Sequence, residues 1–250
     1  MKIDFSNRSS IPSVFDDQTN QLHVSDDIII DEISVRHLKD MRSLFLDASG
    51  YEDELPLYFM YNGIYRKQHK DFFKQHNIKY EYTVLLDTLI NGEFIKAHGH
   101  IHGYQKMKKA RHIEAYEILS GEGYFELFKY EGDLLQIIMI KTKPGDYFIV
   151  PPEYYHLSIN TSNEPFIFGD LIIEGANNDY THLKEKQGAP LYALKNQTGN
   201  VVFRENVAYK DCVKEIIYTT VDELPWHNPV EPIPLYAHFI TNPDKFDYLK

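Results

Sequence analysis

The sequence of 250 residues predicts an all-β fold, a sandwich or barrel of short strands with a helical piece before it and an extended arm after it. Three observations carry that expectation. From residue 80 to 173 the chain runs as short apolar, β-branched and aromatic stretches separated by turn residues. Aromatic usage is weighted to 19 Tyr and 15 Phe, side chains that suit a pleated, half-buried surface. The run AHGHIH at 97–102 sets His100 and His102 two apart, so on a strand both imidazoles project from one face.

Residues 1–33 read as polar and irregular, with IIIDEI at 28–33 as a short edge strand. The next stretch, 34–47, spaces Val35, Leu38, Met41, Leu44 and Phe45 as one amphipathic helix would, and Gly50 stops it. PLYFMYNGIY at 56–65 is aromatic and strand-like. RKQHKDFFKQHN suits a short helix anchored by Phe72 and Phe73, leaving His69 and His76 on the surface. EYTVLLDTLI ends at Asn91-Gly92, a hairpin signal. EFIKAHGHIH, HIEAYEIL, GYFELFKY, LLQIIMIKT, DYFIVP, HLSIN and PFIFGDLII follow, punctuated by Gly121, Gly123, Gly132-Asp133, Pro144-Gly145 and Asn163. DYTHLKEKQGAPLYAL carries a helical turn and a strand; GNVVFRENVAY and KEIIYTT read as further strand pieces. Pro225, Pro229, Pro232, Pro234 and Pro243 make the tail an extended arm.

Charge and cysteine usage narrow the function classes. A net charge of −11 excludes a nucleic-acid surface, which needs clustered Lys and Arg. The one basic cluster, KMKKAR at 106–111, reads as a solvated loop rather than a phosphate-backbone site; its place between two ligand candidates leaves open a role in attracting an anionic substrate. Cys212 is alone, so no intrachain disulfide forms, and it reads as inert core. No apolar run resembles a signal peptide or reaches membrane-spanning length. The expected setting is the cytoplasm, with no membrane partner.

The chemistry concentrates between Gly92 and Gly121 and again near His156. His100, His102, Glu114 and His156 on separate strands would make a metal site with room left for substrate or water. Mixed imidazole and carboxylate donors suit one divalent ion, Fe, Mn, Ni, Co or Zn. His98 and His112 flank the ligands and are expected to face outward. Tyr180 and His182 lie beyond the last barrel strand, in reach of the pocket mouth.

Gly92, His100, His102, Glu114 and Gly121, followed by Gly145, Pro151, His156 and Asn160, resemble the two motifs of the cupin superfamily. Two departures stand out: GYQKMKKARHI is a long insertion, and Glu153 occupies the usual glycine. Within that superfamily PLYFMYNGIY, YTVLLDTLINGEFIKAHGHIH, EAYEILSGEGYFEL, GDYFIVPPEYYHLSIN and EPFIF resemble the cupin-type glucose-6-phosphate isomerases of archaea and some bacteria. The resemblance runs from about residue 34 to about 194. It implies a double-stranded β-helix, a jelly-roll barrel with an N-terminal helical extension at 1–79, a cupin domain at 80–195, and C-terminal strands and arm at 196–250.

It also implies His100, His102, Glu114 and His156 as metal ligands, Tyr116 in the substrate pocket, and Thr83 and Gly99 beside a sugar phosphate. The implied reaction converts glucose 6-phosphate and fructose 6-phosphate through an enediol or hydride shift, in glycolysis and gluconeogenesis, with Glu114 and Tyr116 as the catalytic pair in a homodimer. Ala97 stands where the family usually has a threonine facing the phosphate, and Ile172 where some members have tyrosine. Two other readings stay open: a non-catalytic or diverged sugar-binding cupin, and an isomerase or epimerase of another sugar.

Overall fold

The computed structural model of the chain describes residues 1–105, 110–226 and 233–250. Most of the basic cluster at 106–111, and Pro229 and Pro232 of the tail, lie outside the described residues.

Two sheets form the barrel. The first holds six strands in the order Tyr147–Val150, Glu114–Ser120, Phe166–Ile173, Ile78–Leu85, Pro56–Arg66 and Ile28–His37, antiparallel throughout. The second runs Tyr155–Asn160, Gly123–Glu131 and Leu134–Thr142 antiparallel, and Val213–Thr220 joins its edge in parallel. Alternation along each strand decides which side chains meet. Phe125 of the second sheet packs on Tyr116, Phe148 and Phe168 of the first, with ring centroids 4.9, 4.8 and 5.3 Å away, so the two sheets face each other. Gly123 lets them close: a Cβ there would stand 2.8 Å from the Phe166 ring of the first sheet. The result is the expected jelly-roll barrel. Among the described residues, no helix is long and apolar enough to cross a membrane.

On the outer side of the six-stranded sheet, Tyr80, Tyr82 and Val84 are fully buried under the chain ends, while Lys79, Glu81 and Thr83 turn into the barrel. That covering layer departs from three expectations. Residues 1–33 are not irregular: Lys2–Asp4, Ser13–Asp16 and Gln21–Val24 form a small antiparallel sheet that buries Phe5, Ile11 and Phe15. These strands are too short and polar to advertise themselves.

The amphipathic helix expected at 34–47 is largely absent. Residues 34–37 complete the edge strand Ile28–His37, whose pairing with Pro56–Arg66 satisfies the backbone. Only Leu38–Met41 is α-helical, continued by the 3-10 turn Arg42–Leu44. Leu38, Met41 and Leu44 are buried at three-residue spacing, so a real helical signal was met by little more than two turns.

From residue 233 on, the tail is not an extended arm. Leu235–Thr241 is a helix and Pro243–Leu249 a 3-10 turn, together burying Leu235, Tyr236, Phe239, Phe246 and Leu249. Pro234 and Pro243 sit at the starts of these elements, where a missing N–H costs no intrahelical bond. Phe239 packs on Phe72, Phe73 and His76 of the helix Lys70–His76, and His69 Nδ1 lies 2.9 Å from the Tyr236 hydroxyl. His69 and His76 therefore line this contact and are not plain surface residues. Cys212 is half-buried against a second apolar cluster.

Candidate metal centre and pocket

Lys79, Glu81 and Thr83 on one strand, Phe168 and Asp170 on the next, and Glu114 and Tyr116 on the third all point inward by period two. Register sets Glu81 opposite Asp170 and Asp170 opposite Tyr116, so two carboxyls and a phenol form a row across the sheet. Facing it are the segment 97–100 and His156. Together they enclose a cavity of about 290 Å³.

The four ligand candidates converge at its wall. One donor atom from each of His100, His102, Glu114 and His156 lies within 4.8 Å of the others. Glu114 Oε2 is 2.9 Å from His102 Nε2 and 3.2 Å from His156 Nε2. The His100 and His156 backbones pair through N–H···O bonds of 3.1 and 2.9 Å, which brings their rings to 4.4 Å.

The outer nitrogens are also placed. His102 Nδ1 lies 3.1 Å from Asn178 Oδ1, and His156 Nδ1 lies 3.5 Å from the Tyr154 carbonyl. As the rings stand, each Nε2 donates to Glu114; a proton moved to each Nδ1 would free Nε2 as a ligand atom. His100 Nε2 is buried with no hydrogen-bond partner. Burial, then the neighbouring His156 and His102, hold the His100 imidazole well below its ordinary pKa, in the neutral form a metal requires. Burial pushes the Glu114 carboxyl up, but hydrogen bonds from His102 and His156 outweigh it and hold the group well below the usual range. An orphaned buried nitrogen beside an ionised carboxylate and two oriented imidazoles fits a divalent ion.

Tyr116 is buried against Phe125, Phe148 and Phe168, and its ring lies 6.1 Å from that of His156. Burial and the carboxylates of Glu114 and Asp170 keep its hydroxyl protonated far above neutral pH. Thr83, Ala97 and Gly99 line the same cavity, whereas Ile172 is buried one step beyond Asp170 on its strand and does not line it. Glu153 takes φ +73°, the left-handed conformation that glycine favours, and its side chain accepts from Arg111 Nε at 3.3 Å.

His98 overturns its expected orientation. It is buried, lines the cavity and packs edge-on against Tyr180 at 4.6 Å. His98 stands two residues before His100, a spacing that period two puts on one face, so the outward expectation had no support in the spacing; between them Gly99 turns at φ +74°. A Cβ at Gly99 would stand 2.6 Å from Leu183, so the turn depends on glycine. His112 is half-buried with its Nδ1 enclosed, not turned outward. Tyr180 does line the pocket; His182 packs instead among Phe128, Tyr130, Tyr155 and Tyr209.

The sequence reading passed over Lys79, Glu81, Asp170, Arg36 and Tyr58, all of which line the cavity. Two signals were there. Lys79-x-Glu81-x-Thr83 alternates strictly with Tyr80, Tyr82 and Val84, and Asp170 is the one charge in the apolar strand FIFGDLII. Burial, with Glu114 and Glu81 nearby, pushes the Asp170 carboxyl well above its ordinary range. Burial also raises that of Glu81, partly offset by Lys79 at 2.6 Å.

Comparison with known proteins gives one family. The family described as glucose-6-phosphate isomerase (GPI) matches residues 35–210. Glucose-6-phosphate isomerase of Thermococcus litoralis is 30% identical over 181 residues, 71% of this chain and 87% of the relative. That of Thermococcus gammatolerans is 33% identical over 152 residues, 61% and 75% respectively, and that of Pyrococcus furiosus is 30% identical over 181, 71% and 88%. Solved structures overlap only loosely. Hazelnut (Corylus avellana) vicilin shares 13% identity at TM-score 0.38, covering 52% of this chain and 33% of vicilin. FeII HppE shares 13% at TM-score 0.32, covering 60% and 62%.

Proposed function

Because the chain belongs to the glucose-6-phosphate isomerase family, we propose that it is a metal-dependent aldose–ketose isomerase interconverting glucose 6-phosphate and fructose 6-phosphate. The observation that carries the metal dependence is the convergence of four donors within 4.8 Å, one of them the partnerless His100 Nε2. His100, His102, Glu114 and His156 would hold the ion. When bound, it supplies a Lewis acid to sugar oxygens at the reacting carbons.

Isomerisation moves one hydrogen between adjacent carbons, which calls for a base at C1–C2 and a donor to the oxygen that gains charge. Glu114, placed at the ligand cluster on the cavity wall, is the base in this reading. Tyr116 keeps its proton and donates a hydrogen bond to a substrate oxygen. Phe125, Phe148 and Phe168 exclude water around it. Thr83 and Gly99 contribute wall and backbone to the sugar-phosphate site.

A coupled assay on fructose 6-phosphate and on free sugars, with and without chelator, tests this together with elemental analysis. Wild type should turn over the phosphosugar and lose activity on chelation, and His100→Ala/His102→Ala should lose its metal. Full metal retention in that double variant would reject the site. A metal-loaded wild type inert on every hexose and hexose phosphate would reject the activity.

A further inference from the structure

The geometry points to Arg36 as the cation that binds the substrate's phosphate, a specificity-determining residue of the isomerase site. The inference rests on the isomerase reading and deepens it. A sugar phosphate brings about two negative charges into a cavity already walled by Glu81, Glu114 and Asp170. A matching cation is needed, and the cavity offers two. Lys79 is engaged with Glu81 at 2.6 Å. Arg36 is the other, and its Nε is buried with no hydrogen-bond partner.

Its position suits the task. Arg36 closes the regular part of the edge strand Ile28–His37, next to a register shift at Arg36/His37, a feature that re-aims side chains beside sites. Across the ladder it pairs with Tyr58, whose hydroxyl accepts the His98 N–H at 3.2 Å. The guanidinium thus stands near 97–99, where Ala97 offers no donor. The guanidinium is held by the Tyr58 hydroxyl and, more weakly, influenced by Tyr180, whose ring lies 5.6 Å from that of His100, which ties the basic end of the cavity to the ligand cluster. A guanidinium presents parallel N–H donors to phosphate oxygens, and its idle Nε is one of them. Asp170 Oδ1, buried and without a hydrogen-bond partner, is left to meet a sugar hydroxyl.

The test uses the metal-loaded full chain as wild type, Arg36→Gln and Arg36→Lys, with thermal melts to establish folding. Arg36→Gln should raise KM for fructose 6-phosphate about 10–100-fold, the scale of one charge-assisted contact, with kcat within about threefold. Arg36→Lys should recover part of that loss, and kinetics on unphosphorylated fructose should not change. Calorimetric titration with inorganic phosphate should show binding to wild type and none to Arg36→Gln. An unchanged KM with phosphate still bound by Arg36→Gln would overturn the assignment and leave the isomerase reading standing. Should wild type fail to turn over fructose 6-phosphate, that reading falls by itself, and the phosphate titration alone decides for or against Arg36.

Discussion

Glu114 touches two of the three imidazoles it shares the site with, so its charge and its aim are set by the same contacts. Replacing it with glutamine keeps the shape and removes the base; Glu114→Gln should cut turnover at least ~100-fold in the coupled assay. A second buried carboxyl, three residues on, faces the other way. Glu117 accepts the Tyr80 hydroxyl at 2.5 Å and the Leu235 N–H at 2.7 Å, and burial pushes it from 4.5 to about 7. A carboxyl with a raised folded-state pKa stabilises most when protonated. Its contribution is complete below pH 4.5 and is lost as pH rises through about 7. Glu117→Gln mimics the protonated form, its amide N–H turned to Tyr80 and its oxygen to Leu235. Thermal melts of the variant should therefore gain on wild type by several degrees between pH 5 and pH 8. An identical pH dependence in both proteins would refute the point.

At the scale of elements, the tail is a structural cover. Tyr80 and Tyr82 on the outer face of the six-stranded sheet are fully buried, and Tyr80 packs edge-on against Tyr236 at 5.4 Å. Phe239 sits at the centre of this layer, fully buried and in ring contact with Phe72, Phe73 and Phe246. Phe239→Ala should cost about 3–5 kcal/mol in denaturant unfolding, the cost of emptying a buried phenylalanine site. A loss under 1 kcal/mol would mean the helix Leu235–Thr241 adds little to the barrel. The family match ends at residue 210, before this helix, so the cover lies outside the matched region.

At the scale of the whole molecule, the face around Val213–Thr220 stays open. That strand is the edge of its sheet, and Val213, Ile217 and Tyr218 are exposed on it, with Val202 and Val207 exposed in the adjoining segment. Apolar side chains along an unpaired edge are a surface for a second copy. We expect a homodimer, giving twice the chain mass by light scattering at micromolar concentration. Val213→Lys with Ile217→Lys should shift it towards monomer. A monomeric wild type would count against the dimer.

The sequence by itself determined the local, periodic part of this protein. Turn residues between alternating strands marked the barrel, and His100, His102, Glu114 and His156 stood out because ligand chemistry needs particular side chains at particular spacings. A short helix at 70–76 and the strand at 56–66 were equally legible. Tertiary structure decided the rest. Residues 34–37 carry a helical pattern but join a sheet, since pairing with Pro56–Arg66 satisfies more backbone than an isolated turn can. His98 shares the face of His100 by period two, but only the assembled cavity showed it buried against Tyr180. Arg36, Glu81 and Asp170 became neighbours of the ligand cluster only when strands distant in the chain were laid side by side, and no local rule encodes which strands those are.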